Sequence, residues 1–201
     1  VRFRDYQIKF SRSIKELNPN AEILVSFDNV KKSFDKFKLE VASGEIKRGE
    51  VLAVMGANGL GKSTFVKMIA NKLKPDSGKI NTADAKDIKI SYKQQYPTPE
   101  DITVENYLKH HAGTEMNSGW YQQNILHKLN IKTLLENNLM HLSGGELQKV
   151  FVAGCLSGDA DLIVLDEPSA FIDIEDRINI AEVIKEFAQK KNGAIVVVDH
   201  D

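Results

Sequence analysis

Residues 56–64 have the sequence Gly56-Ala57-Asn58-Gly59-Leu60-Gly61-Lys62-Ser63-Thr64, which matches the pattern G-x-x-x-x-G-K-S/T. An apolar run, Val51–Met55, precedes this stretch, and apolar residues at helical spacing follow it from Phe65 to Leu73. Glycines let backbone amides turn inward toward phosphate oxygens, and the first turn of the helix adds further unpaired donors. The stretch therefore predicts a nucleotide-binding loop in which Lys62 contacts the β- and γ-phosphates and Ser63 ligates Mg²⁺.

Apolar runs along the rest of the chain predict an α/β fold around this loop. Val51–Met55, Asp161–Leu165 and Ala194–Val198 are short and almost wholly apolar, as buried parallel strands are. Glu175–Lys191 has the spacing of an amphipathic helix. Strands that alternate with helices in this way predict a largely parallel sheet.

Two further lobes are predicted beside that core. Ile23–Val30 and Phe37–Val41 predict strands of a small antiparallel lobe, followed by a turn at Ser43-Gly44. From Thr103 to Leu142 the pattern is helical and polar, which predicts an inserted helical lobe. Before the first lobe, Tyr6–Phe10 predicts a strand in an arm or linker.

The composition excludes several other classes of protein. The 201 residues carry a net charge of −1 and are 42% hydrophobic, which is typical of a globular domain and not of a heavily basic nucleic-acid-binding protein. The apolar runs are about five residues long, whereas a membrane-spanning helix needs about 20. Cys155 is the one cysteine, so the sequence excludes an internal disulfide and predicts a reducing, cytoplasmic setting.

Two carboxylates, Asp166 and Glu167, follow the apolar run Leu162–Leu165. A strand that ends in acids places them at the carboxyl edge of the sheet, where open α/β sheets bind their ligands. Asp166 is therefore predicted to hold Mg²⁺ and Glu167 to polarise the water that attacks the γ-phosphate, with a helix N-cap as the alternative role for the pair. His200 follows the strand Ala194–Val198 and is predicted to contact the γ-phosphate from the same edge.

A second glycine-rich segment, Leu142–Val150, begins Leu-Ser-Gly-Gly-Glu. Ser143 and Glu146 have the spacing of a capping box, which by itself explains both residues as the start of a helix. A capping box does not require the adjacent Gly144 and Gly145. Because adjacent glycines expose backbone N–H groups at the positive end of a helix, the segment predicts a second phosphate contact.

In their order along the chain, these motifs resemble those of ABC-type nucleotide-binding domains, over about residues 24–201. The resemblance implies a P-loop NTPase fold with a RecA-like core, an antiparallel β lobe and a helical subdomain at about 99–158. It also implies a head-to-tail dimer in which the signature of one domain closes on ATP held by the other. The corresponding residues are Gly56–Thr64 for Walker A, Gln95 for the Q-loop, Ser143, Gly144, Gly145 and Glu146 for the signature acting in trans, Leu162–Glu167 for Walker B, Ser169–Asp173 for the D-loop and His200 for the switch histidine.

The same resemblance implies roles that the pattern alone does not assign. An aromatic residue upstream of Walker A stacks on adenine in this family, and here Phe37 is the first choice and Phe34 the second. Between Gln94 and Gln95, the family pattern favours Gln95. The implied catalytic residues are Glu167, His200 and Gln95, the implied magnesium ligands are Ser63, Gln95 and Asp166, and the implied D-loop residue is Asp173.

Several stretches are similar to the second nucleotide-binding domain of the ABC E family, the RNase L inhibitor-like ribosome-recycling factors. They are Ser91–Tyr96, Leu142–Lys149, Asp166–Asp173, Val198–Asp201 and the opening Val1–Phe10. This resemblance implies an ATPase that splits ribosomes, with ribosomal subunits and a second such domain as its partners. It also implies a hinge-like arm at 1–22 and a nucleotide-binding domain at 23–201 that ends short of the family's last elements.

Two other functions share the ATP motifs. The ATPase motor subunit of an ABC membrane transporter carries every one of them, so the motifs do not separate transport from ribosome recycling. A non-hydrolysing, ATP-gated clamp is a third interpretation. The sequence Gly-Glu-Leu-Gln-Lys at 145–149 favours the E family, because transporters usually have Gly-Gln followed by Gln-Arg at this point.

Overall fold

The structure, a computed structural model, describes residues 20–35, 37–82, 88–156 and 159–199. The predictions for Tyr6–Phe10, for most of the arm at 1–22 and for His200 lie outside the described residues. The strands are β1 (Ile23–Phe34), β2 (Phe37–Val41), β3 (Gly44–Lys47), β4 (Val51–Val54), β5 (Ser77–Thr82), β6 (Ile90–Lys93), β7 (Leu162–Asp166) and β8 (Ala194–Val198). The α-helices are α1 (Lys62–Ile69), α2 (Val104–Ala112), α3 (Gly119–Tyr121), α4 (Gly144–Cys155) and α5 (Ile174–Lys190).

A parallel sheet forms the core, in the order β4-β8-β7-β6. In its register Val54 lies beside Val198, and Val198 lies beside Asp166 on its other side. The carboxyl ends of β4, β8 and β7 therefore meet at one edge, where β4 leads into the phosphate loop and β7 ends at Asp166. The predicted α/β fold with a largely parallel sheet is confirmed.

The two faces of this sheet are covered by different elements, because successive side chains of a strand point to opposite sides. Leu162, Val164 and Val196 pack with residues of α1 and of the antiparallel strands. Ile163 and Ile195 pack with residues of α4, α5 and the helical segment between residues 104 and 156. Each face of the sheet therefore has its own apolar core.

One strand is less buried than its sequence predicts. Val51–Met55 was predicted as a buried strand, yet Val51 is 48% and Met55 55% exposed. β4 is an edge strand among the described residues, and Val51 and Ala53, which point to the same face, are both exposed. An apolar run indicates a parallel strand but does not show whether a neighbour covers it.

The antiparallel lobe is centred on β1, which pairs with β2, β3 and β5. β1 extends past the predicted Val30 to Phe34 and turns tightly into β2, where Phe34 pairs with Phe37. β5 is absent from the sequence-based expectations because its sequence, Ser-Gly-Lys-Ile-Asn-Thr, has little apolar alternation. The ring of Phe27 meets that of Phe65 edge-on at 5.2 Å between centroids, which joins the lobe to α1.

The helical insertion consists of short pieces rather than long helices. α2 begins at an N-cap in which Thr103 accepts a hydrogen bond from the amide of Asn106. Gly113 then takes a positive φ of 53°, which ends the α-helical hydrogen-bond pattern. Short 3₁₀ and π-helical turns follow at 113–117, 122–127, 132–134 and 139–141.

Candidate nucleotide-binding site

The phosphate loop runs from the end of β4 to the first residue of α1. Its backbone has φ values of 146° at Gly56, 81° at Gly59 and 91° at Gly61, which residues with a side chain rarely adopt. The Lys62 ammonium folds back over the loop and donates hydrogen bonds to the carbonyls of Gly56 and, at 3.0 Å, Ala57. The predicted strand–loop–helix geometry is therefore present, with the lysine amine at the mouth of the loop.

Asp166, the last residue of β7, meets the start of α1. The Ser63 hydroxyl donates to the Oδ1 atom of Asp166 at 3.0 Å, and the Tyr92 hydroxyl donates to Oδ2 at 3.4 Å. Burial raises the pKa of Asp166, and the hydrogen bond from Ser63 opposes that shift. A hydroxyl and a carboxylate are hard oxygen ligands of the kind that Mg²⁺ prefers, so the residues fit this ion.

Glu167 follows at the same edge with its side chain only 9% exposed. Its φ of 47° lies in the left-handed region, which is uncommon for a residue other than glycine. Its amide donates to the carbonyl of Val198 at 2.8 Å, and this bond fixes it beside the end of β8. Such strained conformations are found preferentially at functional sites.

An open cavity of about 370 Å³ lies beside these residues, and Ser63 and Glu167 line it, whereas Asp166 does not. The phosphate loop and the start of α1 form one wall, and Gln95 and Glu167 stand on the others. Gln95, which was favoured over Gln94, is held there through its carbonyl, which accepts from the Gln148 side chain at 3.2 Å. The structure thus brings the predicted Walker A, Q-loop and Walker B residues together, whereas their individual roles stay predictions.

The two candidate aromatic residues differ in position. Phe37 lines the cavity and lies against the phosphate loop, since a Cβ atom added to Gly61 would come within 2.6 Å of the Phe37 ring. Phe34 stacks on the outer side of Phe37, at 6.4 Å between ring centroids, and is 49% exposed. The geometry favours Phe37 as the residue that reaches a ligand.

The glycine-rich signature segment opens α4. The amide of Ser143 donates to the Glu146 carboxylate at 2.8 Å, and the amide of Glu146 donates to the Ser143 hydroxyl at 3.3 Å, so the capping box is present. Both hydrogen bonds from Ser143, from its hydroxyl and its amide, lower the pKa of Glu146. Gly144 and Gly145 are left at the mouth of a separate cleft of about 470 Å³.

The D-loop lies beside that second cleft. Phe171 covers Gly144, with its Cβ atom 3.7 Å from the position of an added glycine Cβ, and Asp173 caps α5 by accepting from the amide of Asp176 at 2.9 Å. Both residues line the signature cleft together with Ser143. Among the described residues, none lines both this cleft and the phosphate-loop cavity.

Sequence reasoning missed three residues near the site. The Tyr92 hydroxyl contacts Asp166, the Tyr96 side chain lines the cavity, and the buried Lys93 contacts the backbone of both acids. All three lie on or directly after β6, the strand beside β7. A usable signal was present, because the carboxyl ends of neighbouring parallel strands meet at one edge.

Within the part of the chain that the structure describes, no helix has the length and apolar character needed to cross a membrane.

Comparison with known proteins gives one matching family, described as ABC transporter, over residues 39–170. An uncharacterised ABC transporter ATP-binding protein of Methanocaldococcus jannaschii is 45% identical over all of this chain and 33% of its own length. Translation initiation factor RLI1 of Saccharomyces cerevisiae is 34% identical over the same shares of the two chains. ABC transporter E family member 3 of Arabidopsis thaliana is 35% identical over 75% of this chain and 85% of its own. The chain thus spans about a third of the length of the first two relatives.

Solved structures of related proteins are similar to this chain over almost its whole length. The archaeal ribosome recycling factor aABCE1, crystallised with the ribosomal stalk protein aP1, is 40% identical with a TM-score of 0.87, over 99% of this chain and 38% of that one. A structure described as RNase-L Inhibitor has 40% identity and a TM-score of 0.88 over the same shares. A transporter subunit is also similar, since the zinc import ATP-binding protein ZnuC of a Wolbachia species is 30% identical over 94% of this chain and 78% of its own.

Proposed function

The chain belongs to the ABC transporter family, and on that premise we propose that it is the ATP-hydrolysing domain of a ribosome-recycling factor. It binds ATP and Mg²⁺ at the phosphate loop and hydrolyses the ATP. It closes head-to-tail on the nucleotide with a second domain of the same kind. The cycle of closing and opening drives the separation of ribosomal subunits, in the cytoplasm.

The observation that best supports the proposal of ATP hydrolysis is the hydrogen bond of 3.0 Å that Ser63 donates to Asp166. It joins the first turn of α1, where phosphates bind, to the end of β7, where the acids lie. Because Glu167 is the next residue and lines the same cavity as Ser63, this contact supports a site in which the two oxygen ligands and the general base lie beside the phosphate-binding end of α1. Phosphoryl transfer needs little beyond this positioning and charge neutralisation.

The residues divide the chemistry among them. Backbone amides of residues 56–61 and the N-terminus of α1 bind phosphate oxygens, and Lys62 exchanges its carbonyl partners for the β- and γ-phosphates. Ser63 and Asp166, with Gln95, would hold Mg²⁺, which supplies neutralisation of phosphate charge when bound. Glu167 orients and polarises the attacking water, and His200 is proposed to contact the γ-phosphate.

A second domain is required because the signature is remote from the cavity of its own chain. Ser143, Gly144 and Gly145 line a different cleft from the phosphate loop, and the first-turn amides of the exposed Gly144 and the partly buried Gly145 are backbone donors at the start of α4. These donors could bind the γ-phosphate of a nucleotide held by another domain. Glu146 stabilises this end of α4 through the capping box with Ser143. Asp173, at the rim of the same cleft, faces the same partner.

Glu167→Gln in the full-length protein tests the assignment of the base. The amide cannot accept the proton of the water, so ATP turnover should fall by on the order of 100-fold or more while ATP binding is retained. Glu182→Gln, at an exposed position on α5, is the matched control and should hydrolyse at the wild-type rate. Hydrolysis by the Glu167→Gln protein at the wild-type rate would show that another group is the base.

Transport is the second candidate function, favoured by the 30% identity to a zinc import subunit over most of both chains. The partner separates the two functions. The full-length, tagged protein should sediment with ribosomal subunits in the presence of a nonhydrolysable ATP analogue. Co-purification with a polytopic membrane protein, without ribosomal particles, would support transport instead.

A further inference from the structure

Lys93, the last residue of β6, is a buried lysine that the ATP motifs do not include. Its side chain is 2% exposed, although lysine is almost never fully buried without partners. Its ammonium donates to three backbone carbonyls, those of Gln94 at 3.3 Å, Asp166 at 3.1 Å and Glu167 at 3.3 Å. An ammonium has three N–H donors, so these three carbonyls account for all of them.

Two of these carbonyls belong to the acids of the nucleotide site. Glu167 has a φ of 47°, and its amide is bound to the carbonyl of Val198 on β8. Lys93 holds the carbonyl side of the same residue from β6. Glu167 is therefore hydrogen-bonded to residues of both β6 and β8. A left-handed backbone conformation at a residue other than glycine persists only where surrounding contacts stabilise it.

The third carbonyl connects this contact to the Q-loop. Gln94 directly precedes Gln95, which lines the same cavity as Glu167. One ammonium thus sets the positions of two chain segments that carry predicted catalytic groups. An apolar side chain of similar length would fill the same space but would remove one donor from each of the three carbonyls, two of them in buried contacts, and would leave the Glu167 carbonyl with the amide of Ala170 at 3.3 Å.

We propose that Lys93 is a positioning residue for ATP hydrolysis, which holds the Glu167 backbone in its left-handed conformation and keeps the Q-loop in register with it. The inference rests on the proposed function. Lys93 does not line the phosphate-loop cavity, so its removal should act through Glu167 and Gln95. Burial lowers the pKa of Lys93 to about 8, while nearby acidic groups, Cys155, Asp166, Glu167 and Asp199, oppose the shift.

The test compares Lys93→Met and Lys93→Arg in the full-length protein. In Lys93→Met the apolar volume remains and the donors are lost, so kcat should fall by on the order of 10-fold to 100-fold, as for a misplaced reacting group. The Kd for a fluorescent ATP analogue should stay within about 3-fold of wild type, because the phosphate loop is untouched. Lys93→Arg restores donors and should recover part of kcat. Lys89→Met, on an exposed lysine four residues earlier, is the control.

A second readout separates positioning from general loss of structure. Trapping of ADP with vanadate, which reports the transition-state geometry, should fall with kcat in Lys93→Met, whereas binding of the ATP analogue should not. Wild-type kcat and trapping in a folded Lys93→Met protein would overturn the proposal. If both Lys93 variants lost their circular dichroism signal, Lys93 would be a folding residue and the positioning role would be rejected.

The outcomes also distinguish this inference from the proposed function. If Glu167→Gln lost hydrolysis and Lys93→Met did not, the role of Lys93 alone would be wrong. If Glu167→Gln hydrolysed ATP at the wild-type rate, the base assignment and the positioning role that depends on it would both be wrong.

Discussion

At the scale of single residues, the candidate site depends on Ser63, Asp166 and Glu167, and the two acids are both contacted by the ammonium of Lys93 through their carbonyls. The motifs indicated Ser63, Asp166 and Glu167 because phosphate and metal chemistry restricts the residue types. Nothing in a motif indicated that Lys93 is buried, because a lysine at the end of a strand is usually exposed. Its burial depends on β6 lying beside β7, which is a property of the sheet.

The choice between Phe37 and Phe34 is also a matter of residue environment. Phe37→Ala should weaken ATP binding by about 5-fold, which corresponds to about 1 kcal/mol of stacking. Phe34→Ala should change the Kd by less than about 2-fold, because Phe34 lies behind Phe37 and is 49% exposed. Titration of each full-length variant with a fluorescent ATP analogue measures both values. A larger loss for Phe34→Ala than for Phe37→Ala would reverse the assignment.

At the scale of elements, apolar runs and capping signals were the most informative patterns. β7 and β8 lie within one residue of their predicted positions, because short, uninterrupted apolar runs rich in isoleucine and valine and bounded by polar residues are typical of buried strands. β5 was missed, since its pairing with β1 comes from a neighbour distant in sequence. The helical insertion was predicted in extent but not in its division into short turns.

The capping box of α4 gives a pH-dependent prediction for that element. The pKa of Glu146 is lowered in the folded protein from its ordinary value of 4.5, so the carboxylate stabilises the fold above that value. The stabilisation should be lost as the pH falls through the lower folded pKa. Wild type should therefore exceed Glu146→Gln in free energy of unfolding at about pH 6, and the difference should shrink toward about pH 3.

Urea titrations of the two proteins across this pH range measure the difference directly. Glu182→Gln, on the exposed side of α5, controls for the loss of one negative charge. A difference between wild type and Glu146→Gln that stayed constant from about pH 6 to about pH 3 would show that the charge of Glu146 does not stabilise α4.

At the scale of the whole molecule, the order of motifs along the chain was sufficient to predict the family and the fold. It was not sufficient to predict how far the signature lies from the phosphate loop, because that separation follows from the inserted helical segment and the placement of α4. The structure puts the two in separate cavities. The motifs do not predict which residues form the surface between the phosphate-loop cavity and the signature cleft.

Exposed apolar residues on that surface predict where a second domain docks. Phe171 is 70% exposed with a φ of 62°, and its ring lies 6.3 Å from that of Tyr96, which is 65% exposed. The pair links the phosphate-loop cavity to the signature cleft, so closure on ATP should bury it. In the full-length Glu167→Gln protein, ATP should reduce the radius of gyration measured by small-angle X-ray scattering.

Adding Phe171→Ser to this parent protein should weaken the compaction. The Kd for ATP in the open state should not change, because Phe171 does not line the phosphate-loop cavity. Ile178→Ser, an exposed apolar position on α5 outside both cavities, should compact as fully as the parent. Equal compaction in all three proteins would place the docking surface elsewhere.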